Sequence, residues 1–170
     1  MENKIDIVTF SPEKGGLSNQ QLYQLLAYDP YFIGVFPRNR LPMSAIVCRQ
    51  LPLTLIVNTD TANLPGRHWV AIYVDEQRRG EYFDSLSQPI PKHMLLWLSC
   101  FTNQWKYVLR PFIDPPIQNI YSLTCGAFAF YFVHQRPLFN FSHEVLWPFL
   151  SSSSSLIDND RFVISFTLKK

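Results

Sequence analysis

The chain has 170 residues, of which 47 % are hydrophobic and 16 % charged, with a formal net charge of +2. That balance suits a folded domain with a core of its own and excludes a disordered chain. A charge of +2 does not by itself imply nucleic-acid binding, and Arg38/Arg40, Arg78/Arg79 and Lys169/Lys170 are pairs rather than one patch.

No run of 18 apolar residues is present, so no spanning helix and no membrane partner are expected. Residues Met1 to Asp6 lack the basic-then-apolar layout of a signal peptide. An intracellular protein in a reducing compartment, not a secreted one, is expected. Aromatic content is 15 %, with 14 Phe, which predicts a core of large side chains.

Residues 1–17 end in Lys14-Gly15-Gly16, a turn signal. Ser18 is a helix N-cap ahead of Leu22, Leu25 and Leu26, and Asp29-Pro30 closes that helix. A short apolar run, Tyr31 to Phe36, leads into a basic turn over 37–42, and residues 51–58 read as a buried strand. A polar loop over 59–67 follows. His68 to Val74 and Glu81 to Ser85 are strand-like on either side of the charged turn Asp75 to Gly80, which predicts a β-hairpin.

Residues 91–100 fit an amphipathic helix carrying Met94, Leu95, Trp97 and Leu98, and Trp105 to Leu109 a short strand. The loop from Asp114-Pro115-Pro116 runs to Thr124. Gly126 to His134 is almost wholly apolar, and periodicity does not separate a buried helix from a buried strand there. The tail holds Glu144 to Leu150, a run of five serines (Ser151 to Ser155) read as a flexible loop, and the strand-like stretch Phe162 to Leu168. One domain over 1–170 is expected, with no internal repeat.

The three cysteines, Cys48, Cys100 and Cys125, are odd in number and widely spaced. They form neither a disulfide framework nor a zinc motif, so one reactive thiol with two structural bystanders is the better reading. His68, Asp84, Gln118 and Cys125 occur in that order, and together they are the inventory of a thiol hydrolase. Folding the hairpin at residues 76–78 sets position 68 opposite roughly 84–88. His68 and Asp84 then lie on neighbouring strands at one open end, where a carboxylate can fix the imidazole tautomer and leave the other nitrogen for a thiol. If the run after Cys125 is a helix, the thiol sits at its N-terminus, where free N–H groups and the dipole favour a thiolate. Gly126 permits close approach to the backbone, and Gln118 carries an amide donor for developing negative charge. Each residue taken singly also has a structural reading, and it is their joint occurrence that points to chemistry.

Gly66-Arg67-His68-Trp69-Val70-Ala71, Tyr82-Phe83-Asp84-Ser85-Leu86 and Gln118-x6-Cys125-Gly126-Ala127-Phe128 resemble the adenovirus protease (adenain) family and the wider clan of SUMO-deconjugating proteases. Asp29-Pro30-Tyr31-Phe32-Ile33-Gly34 resembles a segment near the adenain N-terminus. The resemblance covers about residues 18–135, and the tail from 140 to 170 lies outside it.

It implies an α+β fold, with a central mixed or antiparallel sheet packed against helices and the catalytic cysteine at the N-terminus of a buried helix. By the same resemblance His68 is the general base, Asp84 its partner, Cys125 the nucleophile and Gln118 the oxyanion donor, with Trp69 a groove wall and Gly126 beside the substrate. The implied activity is that of a viral or virus-derived cysteine endopeptidase. It would cleave capsid or core precursors after small residues such as Gly-Gly, through a thioester, in the host nucleus or the virion. Two alternatives are a deconjugating protease for a SUMO- or ubiquitin-like modifier and an inactive binding module on the same fold.

Asp84-Ser85-Leu86 is closer to the SUMO-protease side, since adenovirus enzymes often carry Glu at that place. The sequence itself requires no cofactor and no metal. The resemblance adds an activating viral peptide, for which Cys100 is the candidate linking thiol with Tyr107 near the expected place, and DNA as a second activator. It also makes Lys14-Gly15-Gly16-Leu17 a candidate self-processing site. A monomer acting on protein substrates is expected.

Overall fold

The computed structural model describes residues 16–42, 51–64, 66–150 and 155–170. Cys48, Lys14-Gly15 and Ser151 to Ser154 lie outside the described residues, and with them the self-processing and flexible-loop readings.

Helix α1 spans Asn19–Leu26 and opens on a capping box. The Ser18 hydroxyl accepts from Gln21 N at 3.3 Å, and the Gln21 side chain accepts from Ser18 N at 2.9 Å. Strands β1 (Phe32–Pro37), β2 (Leu53–Asn58), β3 (Trp69–Val74) and β4 (Arg79–Phe83) follow, then helix α2 (Lys92–Phe101) and strand β5 (Gln104–Tyr107). Helix α3 covers Cys125–Gln135 and runs into a 3-10 turn, Arg136–Leu138; α4 spans Ser142–Leu150 and α5 Leu156–Thr167.

The five strands lie in the order β1-β2-β3-β4-β5. β2, β3 and β4 are antiparallel neighbours, while β1 and β5 add parallel edges, so the sheet is mixed. All six residues of β2 and of β3 are buried. Both strands are covered on two faces, so their sequences read as continuous apolar runs rather than alternations. On one face Leu55, Val57, Val70, Ile72 and Tyr82 pack against Met94 and Leu98 of α2. On the other, Ile56, Trp69, Ala71 and Phe83 join Leu22 and Leu26 of α1, Phe128 and Phe132 of α3, Leu146 and Phe149 of α4, and Val163 of α5.

The hairpin forms as expected, except that its left-handed turn residue is Arg78 and Gly80 belongs to β4. The undecided run after Cys125 is a helix in which every residue from Cys125 to Val133 is buried. A helix apolar all round carries no 3.6-residue stripe, so its sequence resembles a buried strand.

One expectation is overturned. Phe162 to Leu168 is not a strand but lies within and just beyond α5, whose buried positions Asn159, Asp160, Val163 and Thr167 follow helical spacing. Ser155 caps that helix by accepting from Asp158 N at 3.2 Å, and this cap overrides the β-branched and aromatic content of its second half.

Candidate active site

The site sits where β3 and β4 end and α3 begins. Ala71 pairs with Phe83, and continuing that register sets Val70 opposite Asp84 and His68 opposite Leu86. His68 and Asp84 are therefore diagonal neighbours across the strand ends. The ladder extends to His68, whose carbonyl accepts from Thr59 N at 2.9 Å. Gly66 delivers the chain to this point with φ +85, and a Cβ there would stand 2.3 Å from Asn58 Nδ2. Only glycine fits that approach.

His68 Nε2 lies 2.7 Å from Asp84 Oδ1. The same oxygen accepts from Leu86 N at 2.8 Å. Asp84 is 2 % exposed, so its carboxylate is held by these contacts rather than by solvent. Its Oδ2 and the Tyr82 hydroxyl are both buried without a hydrogen-bond partner among the described residues. The two side chains share a strand face, and burial, then the charge of Asp84, pushes the Tyr82 phenol well above its ordinary value.

Cys125 stands close enough to His68 to act on the charge of its ring. With Nε2 committed to Asp84, Nδ1 is the nitrogen left for the thiol. Burial alone would push the His68 ring down, but the hydrogen bond and charge of Asp84, with the nearby Cys125, outweigh it and raise the ring from 6.5 to about 10. The ring is thus an imidazolium at neutral pH, set between a carboxylate and a sulfur.

Cys125 is the first residue of α3 and 8 % exposed. Thr124, the N-cap, makes no side-chain capping bond, unlike Ser18 of α1 and Ser155 of α5. The first-turn N–H groups of α3 are therefore open to negative charge. His68, Asp84 and Cys125 are together in one connected arrangement.

Gln118, 1 % exposed, is held separately. Its Oε1 accepts from Ser85 Oγ at 2.6 Å, and its Nε2 faces Ser122 O at 3.2 Å and Ser122 Oγ at 3.3 Å. Ile117 N and Gln118 N both donate to Ser85 O, at 3.0 and 3.3 Å. Gln118 is thus tied to the residue that follows Asp84 and to the loop that leads to Cys125.

Trp69 is 7 % exposed and belongs to the core, and its Nε1 donates to Leu17 O at 2.9 Å. A Cβ on Gly126 would stand 3.0 Å from Leu17 Cβ and 3.1 Å from Trp69 Cδ1, so the missing side chain at 126 makes room for those two residues. Cys100 is exposed on α2 and free; Cys125 is likewise unpaired. Tyr107 caps a packing contact, its hydroxyl accepting from Ile90 N at 3.2 Å.

Sequence reasoning missed Ser85, Ser122, Thr124, Asn159 and Asp160. The Thr124 hydroxyl donates to Asp160 Oδ1 at 2.9 Å, and Asn159 Nδ2 donates to Ile117 O at 2.9 Å. Only Ser85, adjacent to Asp84, carried a local signal.

Among the described residues no group of three or more His, Cys, Asp or Glu is placed to hold a metal ion, and no helix is long and apolar enough to cross a membrane.

No protein-family model matches the chain. A cysteine protease of African swine fever virus is 29 % identical over 90 residues, a match covering 48 % of this chain and 32 % of the relative's length. A crystal structure of that virus's protease superposes with a TM-score of 0.61 at 19 % identity, over 88 % of this chain and 66 % of the other. A selenomethionine crystal form gives 0.57 at 18 %, with the same coverage. The mixed sheet, the covering helices and the buried helix that starts at Cys125 thus form an α+β fold shared with that enzyme. The chain is thus similar in sequence to the African swine fever virus cysteine protease over 90 residues, about a third of that relative's length, and shares its fold.

Proposed function

We propose that the protein is a cysteine endopeptidase of viral type that cleaves precursor proteins after small residues such as Gly-Gly, within the infected cell or the virion. One observation carries the reading: His68 is hydrogen-bonded to Asp84 and lies beside Cys125, whose sulfur stands at an uncapped helix N-terminus. The similarity to the African swine fever virus cysteine protease supports it.

In the proposed reaction the Cys125 sulfur attacks the substrate carbonyl carbon while the proton stays on His68. Charge builds on the carbonyl oxygen, and in this reading the Cys125 N–H and the Gln118 amide stabilise it. His68 then donates its proton to the departing amine, leaving a thioester on Cys125. Water attacks the thioester with neutral His68 as base, the acid is released, and the proton returns to the imidazole. Asp84 holds the ring orientation throughout. No metal is needed in this scheme.

Asp84-Ser85-Leu86 favours a second reading, removal of a ubiquitin-like modifier. The decisive experiment sets diglycine-containing peptides against intact isopeptide-linked conjugates, with Cys125→Ala as control. Peptide cleavage lost in Cys125→Ala supports the endopeptidase. Isopeptide cleavage without peptide cleavage supports the second reading, and full activity in Cys125→Ala refutes both.

A further inference from the structure

Helix α5 lies outside the segment that resembles adenain, yet it reaches the site. Asp160 is 7 % exposed and carries no salt bridge. Its Oδ1 accepts from Thr124 Oγ1 at 2.9 Å and from Asn119 N at 3.4 Å. Thr124 Oγ1 lies 2.7 Å from Ser122 Oγ, and Ser122 Oγ accepts from Gln118 Nε2 at 3.3 Å.

A hydroxyl has one proton to give. An ionised carboxylate only accepts, so the Thr124 proton goes to Asp160, and the Thr124 oxygen is left as an acceptor that shares the one Ser122 proton with Asn119 O, 2.8 Å from Ser122 Oγ. The Ser122 oxygen in turn receives an N–H of Gln118. The contacts run from Gln118 through Ser122 and Thr124 to Asp160, and the carboxylate fixes the last of them by taking the Thr124 proton. Two consequences meet at the nucleophile. The Gln118 amide is turned with nitrogen toward the Cys125 loop and oxygen toward Ser85. The Thr124 hydroxyl, drawn to Asp160, is withdrawn from the N-cap role its residue type favours, which leaves the first N–H groups of α3 open.

We infer that Asp160 is a positioning residue for oxyanion stabilisation: through Thr124 and Ser122 it sets the orientation of the Gln118 amide and keeps the N-terminus of α3 uncapped. The inference rests on the proposed cysteine-protease reading for its kinetic consequence, but the hydrogen-bond chain can be tested without turnover.

The test compares Asp160→Ala, Asp160→Asn and Thr124→Val in the full chain. The peptide probe is a diglycine peptide ending in aminomethylcoumarin. Because oxyanion donors are worth about 10²–10³-fold, a mispositioned donor should lower kcat by about tenfold or more, with KM within about twofold. Iodoacetamide alkylation of Cys125 forms no oxyanion, so its rate should stay within about twofold of wild type. Asp160→Asn keeps an acceptor oxygen and should recover most of the kcat lost in Asp160→Ala. Thr124→Val, which leaves Asp160 in place, should reproduce that loss.

The Gln118 side-chain NH2 resonances should be protected from solvent exchange in wild type and unprotected in Asp160→Ala and Thr124→Val. Unchanged kcat and unchanged NH2 protection in both variants would overturn the inference. So would parallel loss of turnover and alkylation without recovery in Asp160→Asn. If the wild-type chain cleaves no peptide but the NH2 protection is lost in both variants, the protease reading fails and the positioning of Gln118 by Asp160 stands.

Discussion

Replacing Asp84 by Asn removes one charge and little volume, and its effect follows from the His68 contacts. The ring is raised from 6.5 to about 10 although burial opposes the charged form. At 1.36 kcal/mol per pH unit, that is a preference for imidazolium of about 5 kcal/mol. Asp84 is the foremost of the groups that raise it, through the 2.7 Å contact to Nε2. Loss of one close opposite charge shifts such a group by about 1–3 pH units. The alkaline limb of kcat/KM, which reports the free enzyme's acid, should therefore move from about 10 in wild type to about 7–9 in Asp84→Asn. At pH 10 the rate should therefore fall by about 5–500-fold relative to wild type, while at pH 7 loss of the proton accounts for no more than about twofold. The assay is hydrolysis of a diglycine coumarin peptide between pH 5 and 11, with the His68 ring followed in parallel by imidazole NMR. An Asp84→Asn enzyme whose limb stays near 10 would refute the argument that this carboxylate holds the proton on His68.

His68 also links stability to pH: a group raised above its unfolded 6.5 contributes stability that is complete below about 6.5 and lost as pH rises through about 10. Chemical denaturation at pH 7 and pH 10.5 should show that loss, and His68→Ala should remove the His68 share of it. Gln118→Ala should reduce kcat by about 10²-fold while iodoacetamide still alkylates Cys125. In Gly66→Ala the new methyl must displace Asn58 and hold φ at +85, a strain of about 1–3 kcal/mol that urea unfolding will measure. Arg136→Ala strips the buried Glu81 of its guanidinium partner and leaves it only the Lys106 ammonium at 3.2 Å; a loss of about 3–5 kcal/mol is expected in the same assay.

The hairpin that carries His68 and Asp84 was legible because its signals are local. Strand formers on both sides of a charged turn define the register, and the register alone makes His68 and Asp84 neighbours. The capped start of α1 was legible for the same reason. Helix α3 was not, because burial on every side erases the periodicity that identifies a helix. Helix α5 was misread because Phe162, Val163, Ile164, Phe166 and Thr167 have strand propensity. Its helical signature lies upstream, in Ser155, Asp158 and the spacing of Asn159, Val163 and Thr167. The hydrogen-bond chain from Gln118 to Asp160 spans 42 positions of sequence, and no local pattern announces a pairing of that range.

The all-round burial of α3 has a consequence for when the setting of Cys125 is completed. One side of the helix rests on the sheet, with Phe132 stacked on Phe83 at 4.5 Å. Its other sides are closed by Phe149 of α4, 5.4 Å from Phe128, and by Phe166 of α5, 4.9 Å from Tyr131. A ribosome makes these covers after α3 itself. While residues 142–167 are still being synthesised, Phe128 and Tyr131 lack their lids, and the helix that presents Cys125 has no complete hydrophobic housing. The housing of Cys125 is therefore complete only after translation has passed α5.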